Sequence, residues 1–217
     1  MQETENLGRE RILSRIQSAL REKAPRHDFP ASGEIFPEIP DVFERFVREC
    51  WQNNTECIVT PDLQGSSEAA AKILADLPAG EIFVEDTPLL RGISRPWAGS
   101  YSLRWSSDGG PRENSQATIT RAEALVARTG SVVVSAACGG RGASVVAPVH
   151  IVIATRDQIV AGLDEAFAVL RDRDAISRNS FLCVITGSSR TADIEKILVM
   201  GAHGPRRLAI IVALKSE

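Results

Sequence analysis

With 217 residues, 43% hydrophobic and 24% charged, the chain has room for one well-packed domain with an appended arm and needs no disulfide or metal to hold its core. Its 25 basic and 28 acidic side chains give a net charge of -3, which leaves no electrostatic footprint for a nucleic-acid partner. The longest clean apolar run, residues 208–214, is far too short to span a bilayer, and residues 1–11 lack the apolar segment of a secretory leader. No membrane insertion and a cytoplasmic address are therefore expected.

In chain order, residues 8–24 read as a helix, with Ile12, Leu13, Ile16, Ala19 and Leu20 recurring at three- and four-residue steps between Arg and Glu. Pro25, Pro30, Pro37 and Pro40 then mark an extended linker. The expected organisation is an N-terminal helix and Pro-rich linker over 1–40, followed by an α/β domain over 41–217. Asp41 suits the cap of a helix running to about residue 53. Residues 57–60 form a short strand, Ser66 or Ser67 caps a helix through Leu77, and residues 81–84 form the next strand. A helix between two strands implies a βαβ unit and a parallel sheet.

The stretch 87–116 is less regular, with a strand at 100–105 and a polar loop at 106–115. Beyond it, 121–128 reads as a helix, 131–136 as a strand, and 139–144 as a glycine-rich turn. A strand at 149–154 follows, then a long helix from Asp157 to about Arg171, a strand at 181–186, a helix at 191–200 and a last strand at 208–214. The strands are runs of Val, Ile and Leu, as expected where both sheet faces are covered. The fold class is therefore α/β, three-layer α/β/α, with a mostly parallel sheet and an N-terminal helical arm.

Cys50, Cys57, Cys138 and Cys183 are irregularly spaced and include no CxxC pair, so neither a metal nor another cofactor is expected, and Cys57 and Cys183 read as core thiols. In open α/β sheets, ligands bind beyond the carboxyl ends of strands. One such end is Gly187, Ser188, Ser189, Arg190 and Thr191, followed by Asp193 and Glu195. If a helix starts there, its free N–H groups and dipole favour an anion, and Arg190 offers a fork of donors to a carboxylate or phosphate. Ser189 or Thr191 also suits a plain helix cap with Asp193 complementing the dipole, and Arg190 can instead pair internally with Asp193 or Glu195. A second candidate is Gly201, Ala202, His203, Gly204 and Pro205. A histidine between glycines can serve as acid, base or anion contact, or can simply lock the turn, with Gly201 ending the helix before it. The stretch Cys138 to Ser144 is glycine-rich but fits neither phosphate-loop pattern, and His150 stands at the head of the strand after it.

The run Gly187-Ser-Ser-Arg-Thr-Ala-Asp-Ile-Glu195, continuing through Leu198-Val-Met-Gly-Ala-His-Gly-Pro205, resembles the hallmark of the lactate utilisation protein C family (LUD-domain proteins), whose usual form is GxSRTADIE…LVxGxHGP. Ile119–Ala122, Thr129–Ser131, Pro148–His150 and the N-terminal helix also resemble family positions, so the similarity covers most of the chain. The resemblance implies a NagB/RpiA/CoA-transferase-like fold. It also implies a role as the cluster-free component that acts with iron–sulfur proteins in a three-protein system oxidising L-lactate to pyruvate, with a small carboxylate or other anion at the 187–195 loop. The alternative is a stand-alone binder or enzyme acting on a phosphorylated or CoA-linked small molecule. Whether the chain catalyses a step itself is left open, with His203 the candidate.

Overall fold

Short Val-, Ile- and Leu-rich runs that must bury both faces find one solution here, a six-stranded sheet with every neighbouring pair parallel. A computed structural model describes residues 2–21, 36–97, 99–192, 198–200 and 204–215, with the backbone alone at 2–7, 190–192 and 198–200. The chain divides into two compact units, Met1–Glu38 and Ile39–Glu217. In the first, α1 (Gln2–Arg21) begins at Gln2 rather than at the expected Gly8. Most of the expected linker lies outside the described residues.

In the second unit the main sheet comprises β1 (Glu56–Thr60), β2 (Glu81–Val84), β3 (Ser102–Trp105), β4 (Ser115–Arg121), β7 (Val149–Thr155) and β12 (Arg207–Ala213). Their order is β1-β12-β7-β4-β2-β3. Side chains alternate between its faces. Ile119, Ile151, Ile153 and Ile211 point to one side, where α3 (Leu63–Ala75) and α4 (Pro88–Ser94) cover them with Ala70, Ile73, Leu74, Leu90 and Ile93. Each fully buried aliphatic side chain of this kind contributes about 1.5–3 kcal/mol.

Val152, Ala154, Leu208, Ile210 and Val212 point to the other side. There they meet Phe46 and Cys50 of α2 (Val42–Gln52), together with Leu125, Val132 and Val134 of a second sheet. That sheet comprises β5 (Ala124–Val126), β6 (Ser131–Ser135), β8 (Ile159–Val160) and β9 (Leu182–Ile185), in the order β8-β5-β6-β9. Its outer face packs on Ala166 and Leu170 of α5 (Leu163–Asp172), which is followed by the short α6 (Ala175–Arg178). The α/β class with a mostly parallel sheet is as expected, and the second sheet is an addition to the expected layers.

Asp41 caps α2 as expected, accepting from Glu44 N at 2.9 Å. Four local expectations are corrected. Asp62, not Ser66 or Ser67, caps α3 by accepting from Gly65 N at 2.8 Å; Ser66 and Ser67 are buried, and Ser67 Oγ donates to Ile93 O at 2.6 Å. The expected helix over 121–128 is instead the end of β4 and all of β5, because Ala124–Val126 is claimed by backbone pairing with both β6 and β8. The long helix from Asp157 begins only at Leu163, since Ile159–Val160 extends to pair with β5 and Gly162 intervenes. The helix over 191–200 is replaced at its described ends by β10 (Arg190–Ala192) and β11 (Leu198–Met200), paired antiparallel. No helix among the described residues is long and apolar enough to cross a membrane.

Candidate functional site

Of the sequence-predicted residues whose placement is described, Ser189, Gly204 and His150 stand on or beside three segments joined by backbone hydrogen bonds. β9 leads into Thr186 and Gly187. Gly187 has φ +88°, and a Cβ there would stand 2.7 Å from Asn53 O, so only glycine lets the chain turn this close to the end of α2. Two residues on, Ser189 N donates to Pro205 O at 2.8 Å, and Gly204 packs against the Ser189 side chain. The two halves of the hallmark motif are thus clasped at their base, and β10 and β11 pair above the clasp. The helix N-terminus expected at 190–191 is absent, and the helix-dipole argument for an anion goes with it: tertiary pairing overrides the local preference of Ala192, Glu195, Lys196 and Leu198. The placement of Asp193, Glu195, Gly201 and His203, and the side chains of Arg190 and Thr191, lie outside the described residues.

The clasp joins two other motif segments. On one side Ser131 Oγ bonds Thr186 Oγ1 at 2.6 Å and Thr129 Oγ1 at 2.7 Å, while Asn53 Nδ2 donates to Thr129 O at 2.7 Å. Between them Gly130, with φ +59°, lies flat against the last turn of α2, and Cys50 Sγ approaches Gly130 O at 3.7 Å. The Cys50 thiol also bonds that of Cys57, which lowers the pKa of Cys57 and raises that of Cys50. On the other side Arg206 N donates to Pro148 O at 2.8 Å, two residues before His150.

His150 is 0% exposed, and its Nε2 bonds Thr120 Oγ1 at 2.9 Å. Burial pushes its pKa down to about 4, so the imidazole is neutral at pH 7. His150 and Gly204–Arg206 lie at the amino ends of β7 and β12, not at the carboxyl ends where the general rule for α/β sheets first directs attention.

The carboxyl ends hold a different cluster, which sequence reasoning missed. Glu85, 1% exposed just after β2, accepts from Arg121 N at 2.7 Å, Nε at 3.0 Å and Nη2 at 2.8 Å. Beside it Glu123 accepts from Ser135 Oγ at 2.5 Å and Cys138 Sγ at 3.8 Å. Burial, reinforced by Glu85 and Glu123, pushes the Cys138 thiol up to about 12, which keeps it protonated and unreactive. The one available signal was Arg121 within the 119–122 motif segment; its partner lies 36 positions away. A groove of about 690 Å³ at the amino ends of β2 and β3 is lined by Glu81, Tyr101, Arg112 and Asn114 among others, and no predicted site residue borders it. Among the described residues, no three His, Cys, Asp or Glu side chains form a group that could hold a metal.

Comparison with known proteins bears on this arrangement. The family profile of the LUD domain matches residues 112–213, the span from β4 through β12 that contains every clasped segment except the end of α2. The lactate utilization protein C of Macrococcus caseolyticus is 34% identical over 217 residues, covering 93% of this chain and 94% of its own. That of Bacillus subtilis is 29% identical over 179 residues, covering 75% and 74%, and that of Bacillus velezensis is 27% identical over 224 residues, covering 96% and 91%. The chain belongs to the lactate utilization protein C family. In fold it is similar to the crystal structure of a DUF162-family protein from Deinococcus radiodurans, with a TM-score of 0.61, 22% identity, and coverage of 79% of this chain and 96% of that one.

Proposed function

We propose that the chain takes part in lactate utilisation as the cluster-free component of a three-protein system oxidising L-lactate to pyruvate, acting in the cytoplasm with iron–sulfur partner proteins and binding a small carboxylate at the clasped motif. The names of its relatives support the pathway. The observation that carries the site is the clasp itself: Ser189 N to Pro205 O, continued by Arg206 N to Pro148 O, ties together three separate motif segments, the last of which leads two residues on to the buried His150. A structural turn alone has no need of that convergence. Arg190 begins the hairpin immediately above the clasp, where a guanidinium fork can meet a carboxylate and contribute about 1.5–3 kcal/mol, equivalent to roughly tenfold or more in binding.

The test is lactate-dependent dye reduction in lysate from a strain lacking the gene, complemented with wild type or with Arg190→Ala. Wild type is expected to restore activity, and a folded Arg190→Ala to restore a tenth of it or less. Unchanged lactate oxidation in the deletion strain would sink the lactate assignment. Full activity of Arg190→Ala would sink the role given to the hairpin. Ligand screens with phosphorylated and CoA-linked compounds would then decide the alternative reading.

A further inference from the structure

The face of the main sheet that meets the second sheet is apolar along Val152, Ala154, Ile210 and Val212, but not along one row. Phe83 of β2, Thr118 of β4, His150 of β7 and Leu208 of β12 are successive register partners, so their side chains stand side by side on that face. Thr120 stands two residues along β4 on the same face and takes His150 Nε2. The neighbouring Thr118 Oγ1 and His150 Nδ1 are both buried without a protein partner. Thr118 and His150 are each 0% exposed.

The glycine-rich stretch packs on the Phe83 end of this row. Gly139, at φ +86°, sits over the Phe83 ring, with a Cβ there reaching 3.0 Å from the ring edge and 3.3 Å from Ala143. The next residue, Ser144, is 5% exposed and is a third buried hydroxyl with no partner. Two unpartnered buried polar atoms thus stand side by side in one row, and a third belongs to the stretch that packs on its Phe83 end. Native folds pair such groups, and each one left unpaired is costly, so a cluster of them marks where something polar is meant to bind.

We infer that Thr118, His150 and Ser144 form the polar wall of a binding site for the hydroxyl-bearing end of a small 2-hydroxy acid, reached from the clasped motif. This rests on the proposed function and deepens it. A neutral imidazole beside two hydroxyls offers both donors and acceptors to an alcohol. The carboxylate is left to the motif side, where Pro148 links this row to Arg206 and the base of the hairpin. The absence of a side chain at Gly139 lets the loop sit close over the row.

The experiment is calorimetric titration of the full chain with L-lactate, glycolate, pyruvate and inorganic phosphate, for wild type and Thr118→Val, alongside thermal unfolding and imidazole nitrogen NMR of His150. The valine variant keeps the shape and removes one unpartnered hydroxyl. It is expected to melt no lower than wild type, to bind the hydroxy acids about fivefold to tenfold more weakly, and to leave any pyruvate binding unchanged. Binding of L-lactate or glycolate is expected to shift the His150 Nδ1 resonance.

If wild type binds lactate and Thr118→Val binds it equally well, the wall is refuted while the lactate reading stands. If glycolate binds in a Thr118-dependent manner and lactate does not, the site stands and the lactate reading falls. Binding of none of these probes, or a crystal structure showing only an ordered water between Thr118 and His150, overturns the inference.

Discussion

His150 carries a stability consequence of its own. The folded chain holds its pKa at about 4 by burial, against 6.5 for an ordinary histidine. The unfolded chain therefore takes up the proton first. The contribution of this group is complete above about pH 6.5 and is lost as the pH falls towards 4; its full size is about 3 kcal/mol. Urea unfolding of wild type and His150→Gln at intervals from pH 7 to pH 4 should show the wild-type advantage shrinking by an amount of that order. Parallel curves would mean that His150 does not titrate with folding. A second residue-scale prediction concerns Gly130, where a Cβ would stand 2.6 Å from both Cys50 N and Glu49 C on a left-handed backbone. Gly130→Ala should lower stability by about 2 kcal/mol or more in thermal unfolding, and a neutral result would contradict the contact.

Between elements, the Glu85–Arg121 pair ties the end of β2 to the end of β4 through three hydrogen bonds. Arg121→Met removes two of the three donors, and the charge partner, of a carboxylate that is 1% exposed, and should cost about 2 kcal/mol in urea unfolding, discounted because the arginine side chain is 43% exposed. The double variant with Glu85→Leu should recover much of that loss; if it is no better than Arg121→Met, the pair is not the source of the cost. Five of the six strands of the main sheet were legible, β7 and β12 most clearly because Val149–Thr155 and Arg207–Ala213 are continuous apolar runs that suit little else, whereas β4, Ser115–Arg121 with its alternating Thr and Gln, was not read as a strand. Ala124–Val126 was not, since Ala, Glu and Leu within Thr-Arg-Ala-Glu-Ala-Leu-Val carry a helical pattern that only pairing with β6 and β8 cancels. The same conflict hid the β10–β11 hairpin. The α4 helix was readable but missed: Thr87 accepts from Leu90 N as its cap and Pro88 opens it, a start signal inside a stretch read only as less regular. At the site, Thr120 and residues 187–189, 204 and 150 were visible as motif positions, whereas Thr118 and Glu85 acquire meaning only from which strand lies beside which.

At the scale of the molecule, Met1–Glu38 and Ile39–Glu217 are separate compact units, so removal of residues 1–38 should leave a single cooperative unfolding transition with a midpoint close to that of the full chain. Loss of cooperativity on that deletion would show that the division is not a folding boundary. Truncation before Arg207 should abolish the transition altogether, because β12 lies between β1 and β7 and is hydrogen-bonded along its length to both. That position also sets the order of events during synthesis. β12 follows every other described strand in the chain, yet it is the only described strand that joins β1 to the rest of the sheet. Until β12 emerges from the ribosome, β1 has no described strand to pair with, and the apolar faces of β7 and β1 have a gap between them that no earlier described strand fills. Translation therefore holds the main sheet open until β12 is out, and a chaperone that shields exposed strand edges would have its opportunity on the nascent chain before then.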